Sequence, residues 1–293
     1  MTDYRTLAKA ILARGNLTLS EAEKATLDAA PASYLPARRI LAAHAFNSGD
    51  AARAVALSTE VYTAAPSTET ALNLASALSR ARMLDEAVAF LTKATEIPEL
   101  DRATKLSECY ARLKDHDRNR EWSLKALELK EAEAPVIADR PAPRVSRFDP
   151  ETPTRNVIAY SLFGAGPRYL DGAVRNAIVA RHLYPGWTPR FYVDKSVPME
   201  ACKALEDNGA ELKTVPNLPA HRFGLFWRFL VEDDEGVDLY LVRDADSVPS
   251  LREAVAVADW LASGEPFHVM RDWPTHSELV LAGLWGAHRG NIP

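Results

Sequence analysis

Helical stretches in the first half of the chain stop at prolines set almost evenly apart: Pro31, Pro66 and Pro98, at intervals of 35 and 32 residues. Proline donates no backbone hydrogen bond, so each position closes a helix. Between these prolines, small and apolar residues recur in step. Ala54, Ser58 and Val61 map onto Ala87, Leu91 and Ala94, and again onto Asn119, Ser123 and Ala126. On the preceding helices Leu41-Ala42 maps onto Leu74-Ala75 and Leu106-Ser107. Small residues at a fixed helical spacing let two helices approach closely. A period of this length predicts stacked helical hairpins, four of them over residues 1–134, with the first and last degenerate as caps.

The best copy, Ala71-Leu-Asn-Leu-Ala-Ser-Ala77 followed by Asp85-Glu-Ala-Val88, resembles the tetratricopeptide repeat (TPR). The glycine of that family is kept at Gly49 and replaced by Arg82 in the third unit. The resemblance implies a concave surface for a protein partner. The competing reading is a plain helical bundle with accidental spacing.

Five prolines within residues 135–153 cannot hold a helix and read as a semi-extended linker. The expected organisation is therefore a repeat domain over 1–134, a linker over 135–155 and a second domain over 156–293. Charge is distributed unevenly. The chain carries a net −5, and residues 156–293 hold 13 basic and 18 acidic groups. An acidic half argues against a nucleic-acid partner, which needs a basic face. No apolar run approaches the ~18 residues of a membrane span, and the start lacks the pattern of a secretory signal. Cys109 and Cys202 stand far apart without metal-ligand spacing. The expectation is a soluble, reduced, cytoplasmic protein, peripheral to a membrane at most.

The second half alternates strand and helix. Strands are expected at 156–163, 190–194, 210–215, 237–242 and 266–270, and helices at 169–183, 198–208, 226–233 and 250–262. Such alternation predicts an α/β domain with a mainly parallel sheet, whose ligands bind beyond the strand carboxyl ends. Asp244-Ala-Asp246 falls at such an end. Side chains two apart on an extended segment point the same way, so both carboxylates can meet one hard cation. The other Asp-x-Asp, Asp115-His-Asp117, lies between repeat helices and is taken as accidental. The alternative for Asp246 or Ser247 is capping of the following helix.

The ordered series YSLFGAGPRYLDGAVRNA, LYPGWTPRFYVD, FWRFL, VDLYLVRDADS, PFHVMRDWPTH and AGLWG, over residues 156–288, resembles bacterial glycosyltransferases of the GT-A type. That resemblance implies a nucleotide-diphosphate-sugar donor, with Asp244 and Asp246 holding Mn²⁺ or Mg²⁺ on its diphosphate. Phe163 and Gly164 would border the nucleobase, and Arg228 would approach the donor or Asp244. Gly283 and Trp285, read as part of a loop, would lie against the sugar. Arg271, Asp272 and His276 would sit by sugar and acceptor, with Asp272 as base for an inverting transfer. His268, inside an apolar strand, reads as a core histidine, and Arg243 as part of an ion pair. Members of that family normally continue past the Gly-Leu-Trp-Gly segment, so the domain reads as shortened. Two functions follow as expectations. One is metal-dependent hexosyl transfer to a glycan or protein acceptor, with the repeats holding acceptor or partner. The other is a TPR-type scaffold carrying an inactive transferase domain.

Overall fold

In the computed structural model, which describes residues 3–135, 142–215, 223–271, 273 and 275–292, the proline-bounded segments are helical hairpins. The chain divides into two compact units, Met1–Ala134 with Trp273–Ser277, and Pro135–Asp272 with Glu278–Pro293.

The first unit runs through α1 (Tyr4–Arg14), α2 (Glu21–Asp28), α3 (Leu35–Ser48), α4 (Ala51–Ala64), α5 (Thr68–Arg80), α6 (Leu84–Lys93), α7 (Glu99–Leu113) and α8 (His116–Glu133). All the recurring residues are buried, from Ala54, Ser58 and Val61 to Asn119, Ser123 and Ala126, as are the three Leu41-type pairs. The period seen in sequence is thus a period of helix contact. The last three hairpins also turn in the same way. Gly49, Arg82 and Lys114 have left-handed φ values of 86°, 60° and 62°. Behind them the N–H groups of Asp50, Met83 and Asp115 reach back to the carbonyls of Ala45, Leu78 and Tyr110 at 2.9–3.0 Å. Asp115 caps α8 by accepting from the Arg118 N–H at 3.1 Å, which accounts for the second Asp-x-Asp. Arg38 and Arg102 occupy matching places. Each guanidinium donates to a carbonyl ending the previous hairpin, Ala30 at 3.1 Å and Ala94 at 2.8 Å.

The second unit is built on β1 (Asn156–Leu162), α9 (Pro167–Leu183), β2 (Thr188–Val193), α10 (Met199–Asp207), β3 (Glu211–Thr214), β4 (Leu239–Arg243), α11 (Leu251–Ser263), β5 (Phe267–Val269) and β6 (Leu284–His288). The sheet order is β3-β2-β1-β4-β6-β5. The β3-β2, β2-β1 and β1-β4 pairs are parallel, and β6 runs against both its neighbours. The sheet is mainly parallel, as predicted, and β6 is the reversed strand that makes it mixed.

All seven residues of β1 are buried. Ile158, Tyr160 and Leu162 face the core shared with Ala173, Ala177, Leu205 and Val257 of the three helices. Val157 and Ala159 face the opposite core with Trp227, Val231 and Trp285. His268 is buried against Trp260, and burial together with the nearby Arg243 guanidinium holds it down to about 4, so the ring stays neutral.

Three local expectations give way. Gly283-Leu-Trp-Gly286, predicted as a loop, enters β6. Gly286 is there because a Cβ would meet Leu241 Cδ2 at 2.6 Å and the Tyr240 carbonyl at 2.8 Å, so its glycine marks close strand approach. The helix predicted at 226–233 is a 3₁₀ segment over Gly224–Asp233 that buries Trp227 and Val231 and leaves Leu225 and Phe226 exposed. The linker is not a free spacer throughout. Phe148 stacks on Trp187 at 5.6 Å, and the Ser146 N–H donates to His288 Nδ1 at 3.0 Å. Its residues 136–141 lie outside those described. No helix among the described residues is long and apolar enough to cross a membrane.

A left-handed φ strains a residue with a Cβ, whereas glycine adopts it freely at the cost of a more flexible unfolded chain. Arg82→Gly and Lys114→Gly should each stabilise the first unit by about 0.5–1 kcal/mol, and Gly49→Ala should destabilise it by about 1 kcal/mol. Urea unfolding midpoints of the three variants check the signs.

Candidate functional site

The order of the strands defines where a site can form. From β1 the chain moves outward to β2 and β3, then returns to place β4 on the other side of β1. The connections leaving β1 and β4 therefore diverge at their carboxyl ends, which is the switch point where open α/β sheets bind ligands.

Phe163 and Gly164 leave β1 there. The Gly164 N–H donates to Ser196 Oγ at 2.6 Å, and Ser196 is held in turn by Asp194 just beyond β2. Phe163 lies over Gly224, where a Cβ would come within 2.5 Å of its ring, and meets Trp227 edge-on at 5.7 Å. That contact sets the 3₁₀ segment against β1. A second one is made by Ser161, whose Oγ accepts from the Arg228 N–H at 2.9 Å.

Arg228 is 4% exposed. Its Nη1 donates to the Arg243 carbonyl at 3.1 Å and pairs with Asp244 Oδ1. The other face of Asp244 is bounded by Gly283, where a Cβ would lie 2.5 Å from Asp244 Cγ. The β4-β6 register, with Arg243 opposite Leu284, brings those two residues opposite one another just beyond the last rung. Phe163, Gly164, Arg228, Asp244 and Gly283 are thus held in one chain of contacts running from β1 through Gly224 and the 3₁₀ segment to β4 and β6.

Asp244 and Asp246 do not stand on an extended segment. Asp244–Ser247 is a tight turn closed by the Ser247 N–H on the Asp244 carbonyl at 3.2 Å. Helix α9 supports it. A Cβ on Gly172 would strike the Ala245 carbonyl at 2.5 Å and Asp246 Cα at 2.8 Å. One turn later the fully buried Asn176 donates to the Ala245 carbonyl at 2.9 Å and the Asp244 carbonyl at 3.4 Å. Asp246 itself pairs with Arg168 at 2.7 Å. Capping of α11 falls to Ser250, which exchanges hydrogen bonds with Glu253, so neither Asp246 nor Ser247 serves that purpose. Behind the turn, Arg243 is buried. It donates to the Val242 and Trp285 carbonyls and pairs with Glu253 at 3.3 Å.

The remaining sequence candidates are placed otherwise. Trp285 is buried among Phe229, Tyr240 and Phe267, stacking on the last at 5.3 Å, so it supports the sheet and offers no surface to a nucleotide. Alternation along β6 turns it into the core. Arg271 donates to the carbonyls of Glu278 and Leu279 at 2.9 and 2.6 Å, which commits its guanidinium to closing that loop. His276 is exposed and its backbone N–H bonds to Trp273. Asp272 lies outside the described residues. Gly172, Asn176 and Arg168 were not singled out in the sequence. Glycine inside a helix with a polar residue four positions on is the signal that finds the first two, since both fall on one helical face.

As to a cation, the donor set suits a hard one. It offers two carboxylates on one turn, and Gly283 lets that of Asp244 pack closely against the backbone. Among the described residues there is no group of three or more His, Cys, Asp and Glu that could hold a metal. An ion here would therefore draw its other ligands from water and substrate oxygen, the usual arrangement for Mg²⁺.

No protein-family model matches the chain. No curated protein matches it either. Among solved structures, the MamA RS-1 ArsTM double mutant is 19% identical at a TM-score of 0.39, covering 45% of this chain and 76% of that one. MamA MSR-1 C2 is 20% identical at 0.40, covering 45% and 80%. An O-GlcNAc transferase mutant from Thermobaculum terrenum is 19% identical at 0.45, covering 83% of this chain and 47% of that one. The chain spans about half of the transferase's length.

Asn176→Ala removes the donor that satisfies the buried Ala245 carbonyl and should cost about 1–3 kcal/mol. Gly283→Ala should cost under about 1 kcal/mol, because the atom displaced is the movable end of Asp244. Denaturant unfolding of both variants checks this order.

Proposed function

We propose that the second unit transfers a sugar from a nucleotide-diphosphate donor to an acceptor hydroxyl, and that the helical array holds the acceptor or a protein partner. The observation that carries this reading is the gathering of Phe163, Gly164, Arg228 and Asp244 at the divergence of the β1 and β4 connections. The likeness of the motif series to GT-A transferases supports the choice of donor.

In this reading Asp244 and Asp246 hold Mn²⁺ or Mg²⁺, which supplies charge neutralisation to the departing diphosphate. Arg228 orients the Asp244 carboxylate before substrate arrives. Phe163 offers an aromatic face to the base, and the Gly164 backbone beside it is held by Ser196. Gly283 lets the Asp244 carboxylate lie against the backbone, since a Cβ there would stand 2.5 Å from its Cγ. Asp272 remains the proposed base for the acceptor hydroxyl, with Arg271 and His276 on its flanks in sequence.

The pairing of both carboxylates with arginines favours a second reading, a binding protein in which the repeats take a partner and the sheet domain holds nucleotide without turnover. The test is calorimetric titration of UDP and GDP, with and without Mn²⁺, into wild type and the Asp244→Ala/Asp246→Ala double variant. The transferase reading expects metal-dependent binding that the double variant loses, followed by release of sugar from the matching donor. Nucleotide binding without any such release sustains the second reading, and no binding of either nucleotide contradicts both.

A further inference from the structure

The two arginines that meet the carboxylate pair are held in different ways. Arg228 is buried, bonded at once to a backbone carbonyl and to Asp244, and lies 5.6 Å from the Phe229 ring. Arg168, the second residue of α9, has a side chain 77% exposed. Among the described residues its guanidinium has one ionic partner, Asp246 at 2.7 Å, and otherwise only the ring of Tyr169 at 5.9 Å. An exposed ion pair shifts an equilibrium by a few-fold at most, so this one is readily broken. Asp246, with its side chain 17% exposed, cannot follow an arginine that leaves. Its turn is fixed from below by the close approach at Gly172 and by the two Asn176 hydrogen bonds.

We propose that Arg168 is a displaceable counter-cation for Asp246, occupying the carboxylate until a hard divalent cation takes its place, and that the released guanidinium then serves the anionic diphosphate. The proposal rests on the reading of Asp244 and Asp246 as a cation site. Its physical content is competition. One carboxylate oxygen cannot be given fully to a guanidinium and to a metal ion, and a fixed positive charge beside an entering cation opposes it. Exchange needs only rotation of an exposed side chain, with no movement of the loop. The arrangement keeps the pair neutralised while no cation is bound, and makes cation entry and anion binding cooperative, since each favours the state the other needs.

The test is titration of Mn²⁺ alone, followed by free-ion electron paramagnetic resonance, into the full chain as wild type, Arg168→Gln, Arg168→Lys and Asp246→Asn. UDP is then titrated by calorimetry onto the Mn²⁺-loaded proteins. Arg168→Gln should bind Mn²⁺ about fivefold more tightly than wild type, and its loaded form should bind UDP about threefold more weakly. Arg168→Lys should lie near wild type in both. Mn²⁺ affinity in Arg168→Gln equal to or below that of wild type, with binding still lost in Asp246→Asn, overturns the exchange and leaves the cation site standing. Absence of Mn²⁺ binding in every protein overturns the cation site and the exchange together.

Discussion

The second unit depends on β1, a strand buried along its whole length and paired in parallel on both sides. A strand in that position must alternate between two cores, and it does, with Ile158, Tyr160 and Leu162 on one face and Val157 and Ala159 on the other. Because β2 and β4 flank it, the chain has to return from β3 across the sheet before β4 can form. That return separates the connections after β1 and β4 and places Phe163 and Asp244 at the same edge. The site is therefore a consequence of strand order before it is a matter of particular side chains.

What makes the edge specific is close approach. Gly172, Gly224 and Gly283 each stand where a Cβ would meet another part of the site: the carbonyl of Ala245, the ring of Phe163 or the carboxylate of Asp244. Polar groups then fix what the glycines allow to come near. Asn176 holds the turn from below, Ser161 and Arg228 join the 3₁₀ segment to β1 and β4, and Ser196 fixes the loop after β1. The first unit uses a different economy, with one left-handed turn and a few small buried residues repeated from hairpin to hairpin. There the strain of Arg82 and Lys114 is the cost of keeping the turn when glycine is absent.

The repeats were legible because their signal is local. Proline cannot stand inside a helix, so it marks a boundary, and Ala54, Ala87 and Asn119 mark the same contact in successive units. The strands through β4 were equally plain from β-rich runs set between helical spacings. Failures came where a residue has two uses. The glycines around Trp285 carry the same letters in a loop and in a tightly packed strand, and only the register against β4 decides between them. Asp244-Ala-Asp246 was found from its place after a strand, but the turn that carries it depends on Gly172 and Asn176, some seventy residues earlier. Long-range support of that kind leaves no periodicity to read. Arg168 was missed for a related reason: its importance lies in the exposed, single contact it makes with Asp246.

The central claim is that a cation and a nucleotide bind at the edge formed by β1 and β4. Paramagnetic broadening of backbone amide signals by Mn²⁺, recorded on the isotope-labelled full chain with UDP present, tests it most directly. The account predicts that the Gly164, Asp244, Ala245, Asp246 and Gly283 signals are the most strongly broadened of the second unit. Broadening centred on the repeats, or spread evenly over both units, would contradict it.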